Sequence, residues 1–112
     1  MSGIAGIYFL DGRQVERNLL DQMQKSIEHR GHDSSGIWFN ESVGLGQRML
    51  FTTEESLHEK LPLEEKDVVL VADARIDNRK ELINALDLSK ARIITDSEII
   101  LNAYIKWGES CA

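Results

Sequence analysis

Ser2 stands directly behind the initiator methionine, and an apolar, glycine-punctuated run, Gly3-Ile4-Ala5-Gly6-Ile7-Tyr8, follows at once. A small second residue permits removal of Met1. Ser2 would then carry a free α-amine beside its own hydroxyl. An α-amine titrates near about 7.7–8.0, so at neutral pH it can serve as base for the adjacent nucleophile. The strand that follows would hold that nucleophile at a sheet end. The simpler alternative is that a small residue is merely tolerated at position 2.

Four other stretches carry groups capable of chemistry. In His29-Arg30-Gly31-His32-Asp33-Ser34-Ser35-Gly36 two histidines stand three apart. Cysteine ligands are lacking nearby, and Gly31 should break any helix that would align the pair, so no metal site is expected. The stretch reads better as a helix end and loop at a site's rim, with Arg30 buttressing backbone or carboxylate groups. Gly44-Leu45-Gly46-Gln47-Arg48 begins like a dinucleotide fingerprint. The third glycine is missing and a strand follows, so it is a poor phosphate site. Arg48 itself could grip a carboxylate bidentately, or be a surface arginine. Along Ala72 to Leu82, Asp73, Arg75 and Asp77 fall on one side of an extended segment. They could form a salt-bridge ladder leading into a helix cap. Thr95-Asp96-Ser97-Glu98 has the capping-box form, and Asp96 could also receive a ligand's amine.

Elements able to position these groups are legible from periodicity. Gly3 to Leu10 reads as a short buried strand closed by Asp11-Gly12. Val15, Leu19, Leu20, Met23 and Ile27 make a helical stripe over Val15 to Arg30, with Gly31 as its stop. Ser35 to Asn40 and Val43 to Phe51 predict a hairpin across Glu41-Ser42. Val68 to Ala74 reads as the clearest buried strand. Asp77 or Asn78 can cap a helix to about Leu86, and Thr95 opens another bearing Ile99, Ile100, Ala103, Tyr104 and Trp107, ended by Gly108. The acidic stretch Glu54 to Asp67 is expected to be an exposed loop. Helices interleaved with antiparallel pairs predict an α+β or layered class.

Composition excludes several functions. The 112 residues suffice for one small domain. A formal net charge of −6 argues against nucleic-acid or anionic-membrane surfaces. A lone cysteine, Cys111, forbids a disulfide framework and favours a reducing compartment. With no membrane-length apolar run and no secretory pattern, a cytoplasmic location is expected.

Six segments occur in order across essentially the whole chain: SGIAGIYFLDG, HRGHDSSGIW, GLGQRML, IDNRKEL, TDSEIILNAY and WGESC. Together they resemble the N-terminal glutaminase domain of the asparagine synthetase family, a class II glutamine amidotransferase and N-terminal nucleophile hydrolase. The resemblance implies an α/β/β/α sandwich, of which residues 1–112 would be the first half. It implies a C-terminal synthetase domain, absent from this sequence, that uses ATP and Mg; no cofactor is expected in these residues. It also implies that glutamine or a similar small molecule is the ligand. A homodimer is compatible with it.

Site residues carry over position by position. Ser2 stands where the family has its nucleophilic cysteine. Arg48 matches the arginine that grips the glutamine carboxylate. Asp96 matches the acidic residue that holds the α-amine. Asp73, Ala74 and Arg75 stand where an Asn-Gly-Glu segment supplies the oxyanion hole and a substrate contact. A hydroxyl is a weaker nucleophile than a thiol. An ionised carboxylate at Asp73 cannot donate a hydrogen bond to a developing oxyanion and repels it; losing one such donor costs about 3–4 kcal/mol. Weak or lost glutamine hydrolysis is therefore expected within an ATP-dependent amide-forming enzyme. The DARIDNR form looks like relatives that make other amide bonds, such as lasso-peptide cyclases and β-lactam synthetase. Two alternatives are a working glutaminase that uses Ser2 within an authentic asparagine synthetase, and a non-catalytic scaffold or dimerisation module.

Overall fold

An antiparallel sheet, built where alternating apolar runs meet tight turns, carries the molecule. In a computed structural model of the chain, residues 2–52, 54–88 and 93–111 are described. Strand β1 spans Gly3–Tyr8, helix α1 Arg17–Ser26, and β2 (Ser34–Asn40) and β3 (Val43–Met49) form the expected hairpin. The sheet order is β1-β3-β2, so the chain's first strand pairs along the outer edge of the hairpin. Gly3 stands opposite Arg48, and Ser35 opposite Arg48 on the other side.

Cross-strand partners share a face, and this register sorts the side chains. Gly44 and Gly46 face α1: a Cβ at Gly44 would lie 2.9 Å from Leu20 and Val15, and one at Gly46 2.9 Å from Gln24. These glycines let the helix lie close against β3, which explains the GLG spacing without a phosphate. Leu20 is fully buried there, and Gln24 donates to the Gly36 carbonyl. The opposite face carries Ile4 and Tyr8, 52% and 66% exposed.

Helix α1 is shorter than the stripe suggests. The Ser26 hydroxyl donates to the Met23 carbonyl, competing with the helix ladder. Ile27, Arg30 and Gly31 then bond three residues back, tightening the chain into a 3₁₀ turn over Glu28–Arg30.

Two expectations are corrected. The Val68 to Ala74 run pairs only over β5 (Val68–Leu70), half-buried, against β4 (Leu63–Glu65). It leaves the ladder because Gln47 takes over: its side chain donates to the Ala72 carbonyl at 2.9 Å and accepts from the Ala72 N–H at 3.0 Å. The acidic stretch is not simply a loop. It holds a 3₁₀ turn over Glu55–His58, buries Leu61 and continues into β4.

Helices α2 (Arg79–Ala85) and α3 (Asp96–Trp107) follow. Asn78 precedes α2 without a side-chain cap bond. The Thr95 hydroxyl accepts from the Glu98 N–H, as the capping-box pattern predicts, and Gly108 ends α3 at φ 62°. Ile99 and Ala103 are buried on one side of the helix and Leu101 on the opposite side, so α3 is covered on two faces, whereas Tyr104 and Trp107 of the expected stripe are exposed. The architecture is mixed α/β with antiparallel sheets. Among the described residues, no helix is long and apolar enough to cross a membrane.

Candidate functional site

Ser2 enters the sheet from a position fixed on both sides. It is 8% exposed. Its carbonyl accepts from Arg30 Nε at 3.1 Å, so Arg30 does buttress backbone. Its Oγ accepts from the Leu50 N–H at 3.1 Å. Leu50 is held in turn by the Asp33 loop: Asp33 N–H donates to the Met49 carbonyl, and Asp33 Oδ2 accepts from Phe51 N–H. Two segments flanking the sheet therefore fix the residue, Arg30 through its carbonyl and Leu50 through its hydroxyl. Met1 lies outside the described residues.

Ser2 lines a cavity of about 80 Å³ with Asp73, Ala74, Arg75, Asp96 and Ser97. A water needs on the order of 10–15 Å³ on this scale, so several ligand atoms fit beside the hydroxyl. Asp73 to Arg75 form its exposed rim. Gln47, fully buried on β3, pins this rim through Ala72. Arg75 pairs with Asp77 at 3.0 Å, but both side chains are at least 80% exposed, so the pair contributes little.

Asp96, the first residue of α3, is more deeply placed. Its Oδ2 accepts from Ile76 N–H at 3.0 Å, and its Oδ1 accepts from Arg79 Nη1. Arg79 Nη2 donates to the Ile94 carbonyl. Beside it the Glu59 carboxylate accepts from both the N–H and the hydroxyl of Ser97. Glu59 and Arg79 are site neighbours that sequence reasoning missed. Glu59 sits in an acidic run with nothing to distinguish it, and Arg79 stands with Arg75 and Lys80 as one of three neighbouring cations.

Arg48 is not brought to this cavity. Even-numbered residues of β3 face α1, and Arg48 shares that face with Gly44 and Gly46. There it pairs with Glu28 at 3.0 Å and borders a groove between α1 and β2. Met49, one residue on, points to the Ser2 side and lines the cavity. His29 and His32 are both exposed. Among the described residues no group of three His, Cys, Asp or Glu could hold a metal.

Known proteins supply an independent comparison. Residues 1–112 match the model of a family described as "Glutamine amidotransferase domain". The chain is 31% identical over 131 residues to a putative glutamine-hydrolysing asparagine synthetase 2 of Methanocaldococcus jannaschii, covering 99% of this chain and 25% of that protein. It is 32% identical over 118 residues to glutamine-hydrolysing asparagine synthetase 1 of Bacillus subtilis, covering 100% and 19%. A rice enzyme, glutamine-hydrolysing asparagine synthetase 2, is 30% identical over 111 residues, covering 97% and 19%. The chain thus spans a quarter or less of the length of these relatives. No solved structure matches it significantly.

Proposed function

The chain belongs to the glutamine amidotransferase domain family, and from that premise we propose that it is the glutaminase-type part of an asparagine-synthetase-like, ATP-dependent amide-forming enzyme whose glutamine hydrolysis is weak or lost. The observation that carries this reading is the meeting of Ser2, Asp73 and Asp96 around one cavity. They come from the chain start, the segment after β5 and the start of α3.

In such a cavity Ser2 supplies an oxygen nucleophile where a thiol would react faster. Leu50 N–H already binds that oxygen. A ligand carbonyl attacked by Ser2 would develop negative charge beside the 73–75 rim, where the Asp73 carboxylate repels it instead of donating to it. The two changes fall on one reacting centre and act in the same direction. The apolar sheet face bearing Ile4 and Tyr8, opposite α1, suits the first half of an α/β/β/α sandwich. Relatives four to five times longer support a C-terminal synthetase domain as the chain's partner; its use of ATP and Mg is what the family resemblance implies. No residue described here is assigned to either. A cytoplasmic enzyme with ammonia or an internal amine as its nucleophile follows from the same reading.

The test is release of glutamate and ammonia from glutamine. Little turnover is expected from the unsubstituted protein, and at least about 10²-fold more from Ser2→Cys combined with Asp73→Asn, since one oxyanion donor alone is worth that much. Robust hydrolysis by the unsubstituted protein would refute the proposal.

A second reading, a working Ser2 glutaminase, is favoured by one observation: the hydroxyl is oriented at the cavity by bonds on both sides of its residue. It requires cleavage of Met1, so mass spectrometry finding Met1 intact would rule it out.

A further inference from the structure

We propose that Arg79 is a specificity-determining residue of the Ser2 cavity: by pairing with Asp96 it cancels the charge of that carboxylate, so the cavity does not select a ligand for a free α-ammonium group. The inference rests on the amidotransferase reading of the cavity.

Both oxygens of Asp96 are engaged from behind, one by Arg79 Nη1 and one by Ile76 N–H. The guanidinium is itself fixed by its second bond, to the Ile94 carbonyl, so it spans the entry to α3. Its planar fork suits that two-point grip, which a lysine could not reproduce. The Arg79 and Asp96 side chains are only 23% and 17% exposed, so solvent screens the pair far less than the exposed Arg75–Asp77 pair.

A ligand ammonium docking on Asp96 would stand one carboxylate's width from the guanidinium. Coulomb energy falls only as the inverse of distance. Repulsion from the slightly more distant cation therefore offsets most of the attraction to Asp96. Two other carboxylates border the cavity. Glu59 is turned onto Ser97, and Asp73 lies on the exposed rim. Among the described residues neither forms an ion pair with Arg79, so both form a constant background when that residue is changed.

The experiment titrates L-glutamine and glutaramate, the same molecule without its α-amino group, into the purified protein and into Arg79→Met, reading binding by calorimetry. The unsubstituted protein is expected to bind the two within about twofold of each other. Arg79→Met is expected to favour L-glutamine by about tenfold, because Asp96 is then uncancelled. A tenfold preference for L-glutamine in the unsubstituted protein, or the same ratio in both proteins, overturns the inference and leaves the amidotransferase reading standing. Binding of neither compound by either protein overturns both. Should circular dichroism find Arg79→Met unfolded, Arg79→Gln carries the same expectation, since it keeps one N–H donor and removes the charge.

Discussion

Removing the Asp96 carboxylate should destabilise the fold. Asp96→Ala leaves the Arg79 guanidinium without its countercharge and the Ile76 N–H without its acceptor. Breaking a fully buried pair in this way costs about 3–5 kcal/mol. The two side chains retain 17% and 23% exposure, so water can partly rehydrate the stranded cation, and about 2–3 kcal/mol is the better figure. At roughly 2.1 cal/mol/K per residue, the 112-residue chain has an unfolding entropy near 0.24 kcal/mol/K. Each kcal/mol then lowers Tm by about 4 °C, which predicts a fall of about 8–12 °C. Circular dichroism melting of the purified protein measures it. The double variant Asp96→Ala with Arg79→Met should recover at least about 1 kcal/mol relative to the sum of the singles, because it removes the stranded charge. A Tm within about 2 °C of the unsubstituted protein, or strict additivity in the double variant, would refute the pairing.

Three further outcomes follow from the packing. Gln47→Leu should destabilise by about 2–3 kcal/mol, because it strands the N–H and carbonyl of Ala72; hydrogen exchange at the Ala72 amide should accelerate, and an unchanged rate would count against the strut. Gly44→Val should cost about 1–3 kcal/mol by overpacking against Leu20 and Val15, read by urea unfolding, whereas a neutral effect would mean that α1 can withdraw from β3. Arg75→Ala should change stability by less than about 0.5 kcal/mol, since its ion pair is solvent-exposed, and a larger loss in the same unfolding assay would show a buried role.

Local patterns made the sheet and the last helix readable in advance. The alternation before and after Glu41-Ser42 specifies the β2–β3 hairpin, because a strand's period of two and a short turn are properties of adjacent residues. The Thr95–Glu98 cap is a contact across three residues and is likewise visible in the letters. The Val68 to Ala74 run misleads because its apolar composition satisfies a strand pattern. Its ladder partner after Leu70 is a side chain, Gln47, 25 positions away. In Val15 to Arg30 the periodic stripe outlasts the helix, because periodicity does not register the Ser26 hydroxyl competing for backbone.

The candidate site divides in the same way. The six collinear segments are enough to identify the family, and the place of Ser2 within the first of them is enough to nominate a catalytic position. That information lies in the sequence alone, because motif order survives without coordinates. Tertiary structure alone decided which of the candidate residues meet. Ser2 is clasped by Leu50 across 48 positions, Glu59 reaches Ser97 across 38, and Arg79 reaches Asp96 across 17. Arg48 is turned to the α1 face by the parity of its strand register, one residue away from the parity that puts Met49 in the cavity. Contacts of this kind depend on how distant elements are stacked: the alternation along β3 is local, but which of its two faces meets α1 and which meets the cavity is set by the packing of distant segments.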